Sequence, residues 1–189
     1  MAKTTLCILH KSKMNLEIEA KIKVESLDPV RQRLSALDAR LVAELVQNDV
    51  YYLDTDKKLS KNRCGLRLRT EITEAKTVWL LTFKGPPQKN PYKSRPEYET
   101  HVADAAAMRQ ILEGLGYHEY RTVAKTRAVW ELDGCDVCLD DVPPLGCFVE
   151  VEGADEIIIK KVLTQLGLAD QPHIAKGYAA MMAEVNEKS

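Results

Sequence analysis

Polar and apolar positions alternate over residues 16–24. Leu16, Ile18, Ala20, Ile22 and Val24 fall on one face, and Glu17, Glu19, Lys21 and Lys23 on the other. A period of two marks a half-buried strand. The same alternation, with turn residues between runs, predicts strands over 49–53, 66–72, 78–83, 95–102, 122–131, 135–141 and 147–152. Asp133-Gly134 supplies a hairpin turn, and Lys84-Gly85-Pro86-Pro87 opens a loop running through Pro91. Elsewhere the spacing is helical. Asp28-Pro29 reads as an N-cap and first-turn proline of a helix reaching about Leu45. Asp104 caps a helix ending near Gly114 and Gly116, Asp155 starts one through Leu166, and a last one covers about 175–187. The polar stretch 54–62 has room for a short helix. Strands cluster in runs and do not alternate with helices, so the class is α+β and not βαβ.

Parity also sorts the charges. Glu17, Glu19 and Lys21 share a face, as do Arg67 and Arg69. So do Arg95, Glu97 and Glu99, then Lys125 and Arg127, then Glu150 and Glu152. Lys84 sits with Leu80 and Thr82, and Asp140 lies opposite Leu139 and Val137. One such strand is ordinarily half-buried with its charges in water. Seven behaving alike call for another explanation. Like charges on one face repel unless an opposite charge stands between them. Arg67/Arg69 and Lys125/Arg127 therefore point to a polyanion. Glu17/Glu19 and Glu150/Glu152 point to cations, and all-oxygen donors favour Mg²⁺ or Mn²⁺. A closed barrel would gather both sets around one lumen and leave its apolar exterior to the helices.

Glu17-Ile18-Glu19-Ala20-Lys21 resembles the ExExK signature of the CYTH superfamily, the triphosphate tunnel metalloenzymes. Further matches follow in order: DVYYLD at 49–54, LRLR at 66–69, LTFKGP at 81–86, RPEYE at 95–99, KTR at 125–127, LDD at 139–141, LGCFVEVE at 145–152, and Tyr178. The resemblance runs from about residue 14 to residue 180. It implies an eight-stranded antiparallel β-barrel with helices packed outside, in one domain over 14–189. It implies Arg67, Arg69, Lys84, Lys125 and Arg127 on phosphate oxygens, where an Arg fork suits two oxygens at once. It implies Glu17, Glu19, Glu150 and Glu152 as metal ligands, Lys21 and Asp140 in catalysis, and Glu97 and Glu99 in support. LTFKGP, RPEYE and LGCFVEVE are similar to the class IV adenylyl cyclase-like branch, which implies conversion of ATP to cyclic AMP and pyrophosphate. The same groups with water in line would make a hydrolase of inorganic, thiamine or nucleoside triphosphates. A non-catalytic polyphosphate-binding module is a third reading, which the acid cluster argues against.

Composition narrows the partners. The formal net charge is −1, so an anionic ligand must be met by local charge, and a nucleic-acid partner is not expected. No apolar run approaches the roughly 20 residues of a membrane span. Five cysteines without a regular framework fit a reduced, cytoplasmic setting. Residues 1–13 read as a disordered extension, and a homodimer is one open oligomeric state. Cys135 and Cys138 have CxxC spacing, but residues three apart on a strand face opposite ways and cannot share a metal. The four histidines fit no metal spacing, although His101 continues the parity of Glu97 and Glu99 toward a tunnel mouth. Arg95 and Lys176 are as well placed for solvent as for a ligand. Trp79 and Trp130 fall on the outward parity, which weakens the thiamine reading because that substrate asks for an aromatic platform.

Overall fold

Every strand run predicted by alternation is a strand in the computed structural model, which describes residues 15–88 and 92–186. The expectation for residues 1–13 lies outside the described residues. The strands are β1 (Asn15–Val24), β2 (Arg40–Asp54), β3 (Gly65–Ile72), β4 (Thr77–Lys84), β5 (Lys93–Val102), β6 (Tyr117–Leu132), β7 (Cys135–Val142) and β8 (Gly146–Gly153). All pair antiparallel, in the order β1-β5-β4-β3-β2-β6-β7-β8, and β8 returns to β1 to close the barrel. The helices are α1 (Asp28–Ala36), α2 (Lys58–Lys61), α3 (Ala105–Gly114), α4 (Glu156–Leu166) and α5 (Tyr178–Asn186). The α+β class and the eight-stranded antiparallel barrel are therefore as expected.

Closure leaves two kinds of surface. Outward apolar positions of β1, β6, β7 and β8 meet α1 and α4 in one core, where Ile22, Leu34, Val149, Ile159 and Val162 are fully buried. Outward positions of β2 and β3 meet α3 in a second core around Tyr52, Leu68 and Leu112. Both tryptophans are on this outer side: Trp130 is buried in the first core, and Trp79 packs against the second. Helix α5 differs from the others. It packs on the inward positions Val123, Val142 and Phe148, which share parity with Lys125, Asp140 and Glu150, and so caps one end of the lumen.

Several boundaries depart from expectation. The helix expected over 28–45 stops at Ala36, and β2 begins at Arg40 instead of near Asp49. Asp38 turns the chain at φ 54°, and the Ala39 amide then bonds back to the Leu34 carbonyl. Residues 40–45 pair with 127–131 of β6, so ladder hydrogen bonds with a long partner outweigh a local helical pattern. A bulge between Leu41 and Ala43 breaks the period of two and hides the strand from a parity reading. The cap of α1 also shifts by one: Leu27 is the N-cap position, and the Ser26 hydroxyl accepts from the Asp28 amide. Asp104 and Asp155 cap α3 and α4 through their side chains, as expected. The last helix starts at Tyr178, three residues later than read from sequence.

Candidate active site in the barrel lumen

The lumen is a cavity of about 1360 Å³ lined by inward side chains of all the strands. Its basic groups are held in pairs by buried carboxylates. Asp49 on β2 lies opposite Arg69 of β3 and is 1% exposed. It accepts two bonds from Arg69, at 2.6 and 2.8 Å, and lies 3.5 Å from Arg67. Arg67 also donates to Thr82 at 3.0 Å, and Thr82 in turn donates to Glu99 at 2.7 Å. Across the barrel, Asp140 on β7 lies opposite Arg127 of β6 and is 0% exposed. It accepts two bonds from Arg127, one from Lys125 at 3.0 Å and one from the Tyr178 hydroxyl at 2.8 Å.

The β1–β8 wall carries the acidic set. Register places Glu19 opposite Glu152 and Lys21 opposite Glu150. The Lys21 ammonium sits 3.2 Å from Glu19 and 3.0 Å from Glu150, and bonds the Lys176 carbonyl at 3.3 Å. The Tyr178 ring packs 4.2 Å from Lys21 and 4.8 Å from Lys125, a cation–π contact with each. Glu150 also pairs with Arg127. The side chain of Glu17 lies outside the described residues; its backbone pairs with Arg95. At the neighbouring wall, Lys84 is 2.7 Å from Glu97.

A divalent ion has suitable donors here. Glu19, Glu150 and Glu152 offer carboxylate oxygens at adjacent positions of paired strands, the chemistry that Mg²⁺ and Mn²⁺ take. They are not gathered about one point: among the described residues no three Asp, Glu, His or Cys side chains form a metal-holding group. In this arrangement Glu19 and Glu150 hold the Lys21 ammonium, the place a competing cation would take.

The charges are tuned by their surroundings. Burial penalises the Asp49 carboxylate, but Arg69 and Arg67 outweigh it and hold the group well below the usual range. Burial likewise opposes the Lys21 ammonium, and Glu150 and Glu19 hold it above its ordinary value. Burial, with Glu150 and Asp140 nearby, pushes the Tyr178 hydroxyl far up, so it stays a donor. Lys125 goes the other way: burial and the Arg127 guanidinium lower it to about 8, against the pull of Asp140. A polyanion beside Lys125 favours the ammonium, so binding takes up a proton where the free group has lost it. Triphosphate affinity is expected to fall roughly tenfold per unit as the pH rises above about 8, and to be flatter in Lys125→Arg. Calorimetric titrations at pH 7.5 and 9.5 check this.

The sequence-predicted residues come together as follows. Glu19, Lys21, Arg67, Arg69, Lys84, Glu97, Glu99, Lys125, Arg127, Glu150 and Glu152 all line the one cavity, and Asp140 lies behind Arg127 and Lys125. Arg95 lines it too, and His101 is exposed at its edge. Lys176 points away and pairs with Glu184. Cys138 is inward and Cys135 sits in the outer core, so the two thiols do face opposite ways. Sequence reasoning missed Asp49, Gln47 and Glu71 as members of the lumen, and placed Thr82 on the Lys84 face without its bonds to Arg67 and Glu99. Asp49 was inside the quoted DVYYLD match, and the parity of a strand starting at Arg40 brings in Gln47.

Comparison with known proteins agrees with this architecture. A Methanocaldococcus jannaschii protein with the provisional name adenylate cyclase is 27% identical over 172 residues, covering 86% of this chain and 96% of its own. The adenylate cyclase CyaB of Aeromonas hydrophila is 23% identical over 175 residues, covering 87% of each. The solved structure of the PH1819 protein of Pyrococcus horikoshii superposes with a TM-score of 0.79 at 24% identity, over 89% of this chain and 99% of that one. A Hippeastrum protein, provisionally named an adenylyl cyclase and described as having a dominant triphosphatase activity, superposes at 0.65 with 18% identity, over 92% and 96%. The CYTH domain profile matches residues 15–178, and with the closed barrel and its inward ion pairs this makes the chain a member of the CYTH domain family.

Proposed function

We propose that the lumen binds the triphosphate of ATP together with Mg²⁺ or Mn²⁺ and forms cyclic AMP and pyrophosphate. The observation that carries this reading is the ring of cations facing one cavity, with Arg67, Arg69 and Lys125 buried and Arg127 half-buried. Arginine forks match phosphate oxygens two at a time. Inward carboxylates are about as numerous as inward cations, so the free lumen lacks the positive surplus to neutralise a triphosphate. Divalent ions entering with the substrate remove that deficit. The adenylate cyclase names of the Methanocaldococcus and Aeromonas relatives support ATP as the substrate.

In this reading Arg67, Arg69, Lys84, Lys125 and Arg127 bind phosphate oxygens. Glu19, Glu150 and Glu152 would hold the ion, with Glu17 as the fourth ligand that the family resemblance implies. A bound divalent ion would withdraw charge from phosphate oxygens and favour loss of a hydroxyl proton nearby. Lys21, held between Glu19 and Glu150, would pair with the leaving pyrophosphate. The 3′ oxygen of the ribose bonds to the α-phosphorus as the bond from that phosphorus to the β-phosphate oxygen breaks, and the 3′ hydroxyl proton passes to solvent water. Asp140 and Asp49 act as positioning residues: their oxygens are spent on Arg127, Lys125 and Arg69. Glu97 and Glu99 hold Lys84 and Thr82 in place. The four described cysteines are free thiols, which suits the cytoplasmic setting expected.

Hydrolysis is the competing outcome, favoured by the activity described for the Hippeastrum neighbour. Incubation with ATP and Mg²⁺ or Mn²⁺, followed by phosphorus NMR, separates the two. Cyclic AMP with pyrophosphate is expected. Inorganic phosphate without cyclic AMP would replace the cyclase by a triphosphatase.

A further inference from the structure

The inner wall is not charged throughout. Toward the mouth opposite α5 the inward positions of β2, β4 and β6 turn apolar: Leu45 follows Gln47, Val78 precedes Leu80, and Val129 follows Arg127, all lining the same cavity. Apolar side chains add nothing to the binding of a bare phosphate chain, and they need a desolvating partner to contribute at all.

Between these walls stands a carboxylate that neither phosphate nor metal uses. Glu71 on β3 lies between Gln47 of β2 and Val78 of β4 in the register. Strand β3 is four places from β8 in either direction around the barrel, so Glu71 faces the acidic wall from across the lumen. Its Oε1 accepts from Gln47 Nε2 at 2.6 Å and is 3.6 Å from Arg69 Nη1. That bond fixes which end of the Gln47 amide is nitrogen. The other end, Oε1, is buried without a donor. A buried acceptor left unmet is costly, and such groups mark places completed by something else. The lumen here offers acceptors beside an apolar wall, adjoining Arg69 and Lys125.

We infer that Leu45, Val78 and Val129 form a subsite for the ring of an amino-bearing nucleobase, with Glu71 and Gln47 accepting from its exocyclic amine. The inference rests on the triphosphate reading above and adds the group carried at the chain's end. It makes the protein selective for an organic triphosphate over the inorganic one, and for a 6-amino purine over a 6-oxo purine, which presents an acceptor to Glu71.

Equilibrium titration of the full chain with ATP and ITP, each as its α,β-methylene analogue, and with inorganic triphosphate, in excess Mg²⁺, tests it. ATP is expected to bind about tenfold or more tighter than ITP, from one hydrogen bond to a charged acceptor, and tighter than inorganic triphosphate. Glu71→Gln, whose amide can donate to the 6-oxo group, is expected to narrow the ATP/ITP ratio to about threefold or less. ATP and ITP binding alike in the wild type, or an unchanged ratio in Glu71→Gln, would overturn the subsite. Binding of inorganic triphosphate with no gain from the nucleoside sinks the subsite alone; no binding of any of the three sinks the triphosphate reading with it.

Discussion

Asp140→Ala is expected to cost the fold about 3–5 kcal/mol, the usual penalty for stranding the partners of a buried ion pair. Asp140 is wholly buried and serves four hydrogen bonds, from Arg127, Lys125 and Tyr178. Its removal leaves Lys125 beside Arg127 with no intervening anion. Arg127 keeps Glu150, which places the expected loss toward the lower end of that range. The Tyr178 hydroxyl loses its acceptor, and with it the bond that ties α5 to the lumen. A loss of this size lowers the melting temperature by on the order of 10 °C in a chain of this length. Thermal unfolding followed by circular dichroism checks it. A shift of only a degree or two would mean that water replaces Asp140 readily and that the lumen is wetter than its burial indicates.

Glu19→Gln and Glu150→Gln are each expected to lower turnover by at least about 100-fold with the barrel intact. The amide keeps the shape of the carboxylate and still accepts a bond from Lys21. It loses the charge that a hard divalent ion requires. The two residues sit on different strands, yet both touch the same ammonium, so their effects should be strongly non-additive in the double variant. Turnover at saturating ATP and metal, with a melting curve as control, provides the measurement. Unchanged turnover in both would remove these residues from the site.

Alternation made the barrel legible because nearly every strand here has one face in the lumen and one under a helix, so polarity flips at each residue. Alternation alone could put Arg67 with Arg69 and Lys125 with Arg127 on one face; the ordered motifs of the resemblance made that face the inward one. The first half of β2 was not legible, because the bulge at Leu41–Ala43 shifts the pattern by one position and leaves spacing that a helix also satisfies. That misreading cost Gln47 its place in the lumen. A second bulge, between Tyr51 and Tyr52, hides the start of β6 near Tyr117 in the same way. Partnerships were less accessible than faces. Parity puts Asp140 inside, but not that it gathers Arg127, Lys125 and Tyr178, because those residues come from β6 and a distant helix. The part played by α5 depends on inward apolar positions, Val123, Val142 and Phe148, which look in sequence like interruptions of a charged face.

Triphosphate and divalent ion are expected to enter this lumen together, because its own charges are already balanced. Titration of an ATP analogue that cannot be cyclised, with an α,β-methylene bridge, in Mg²⁺ and in chelator checks this. Affinity at least about tenfold higher in Mg²⁺ is predicted, equivalent to about 1.4 kcal/mol of coupling. Equal affinity in the two conditions would contradict it.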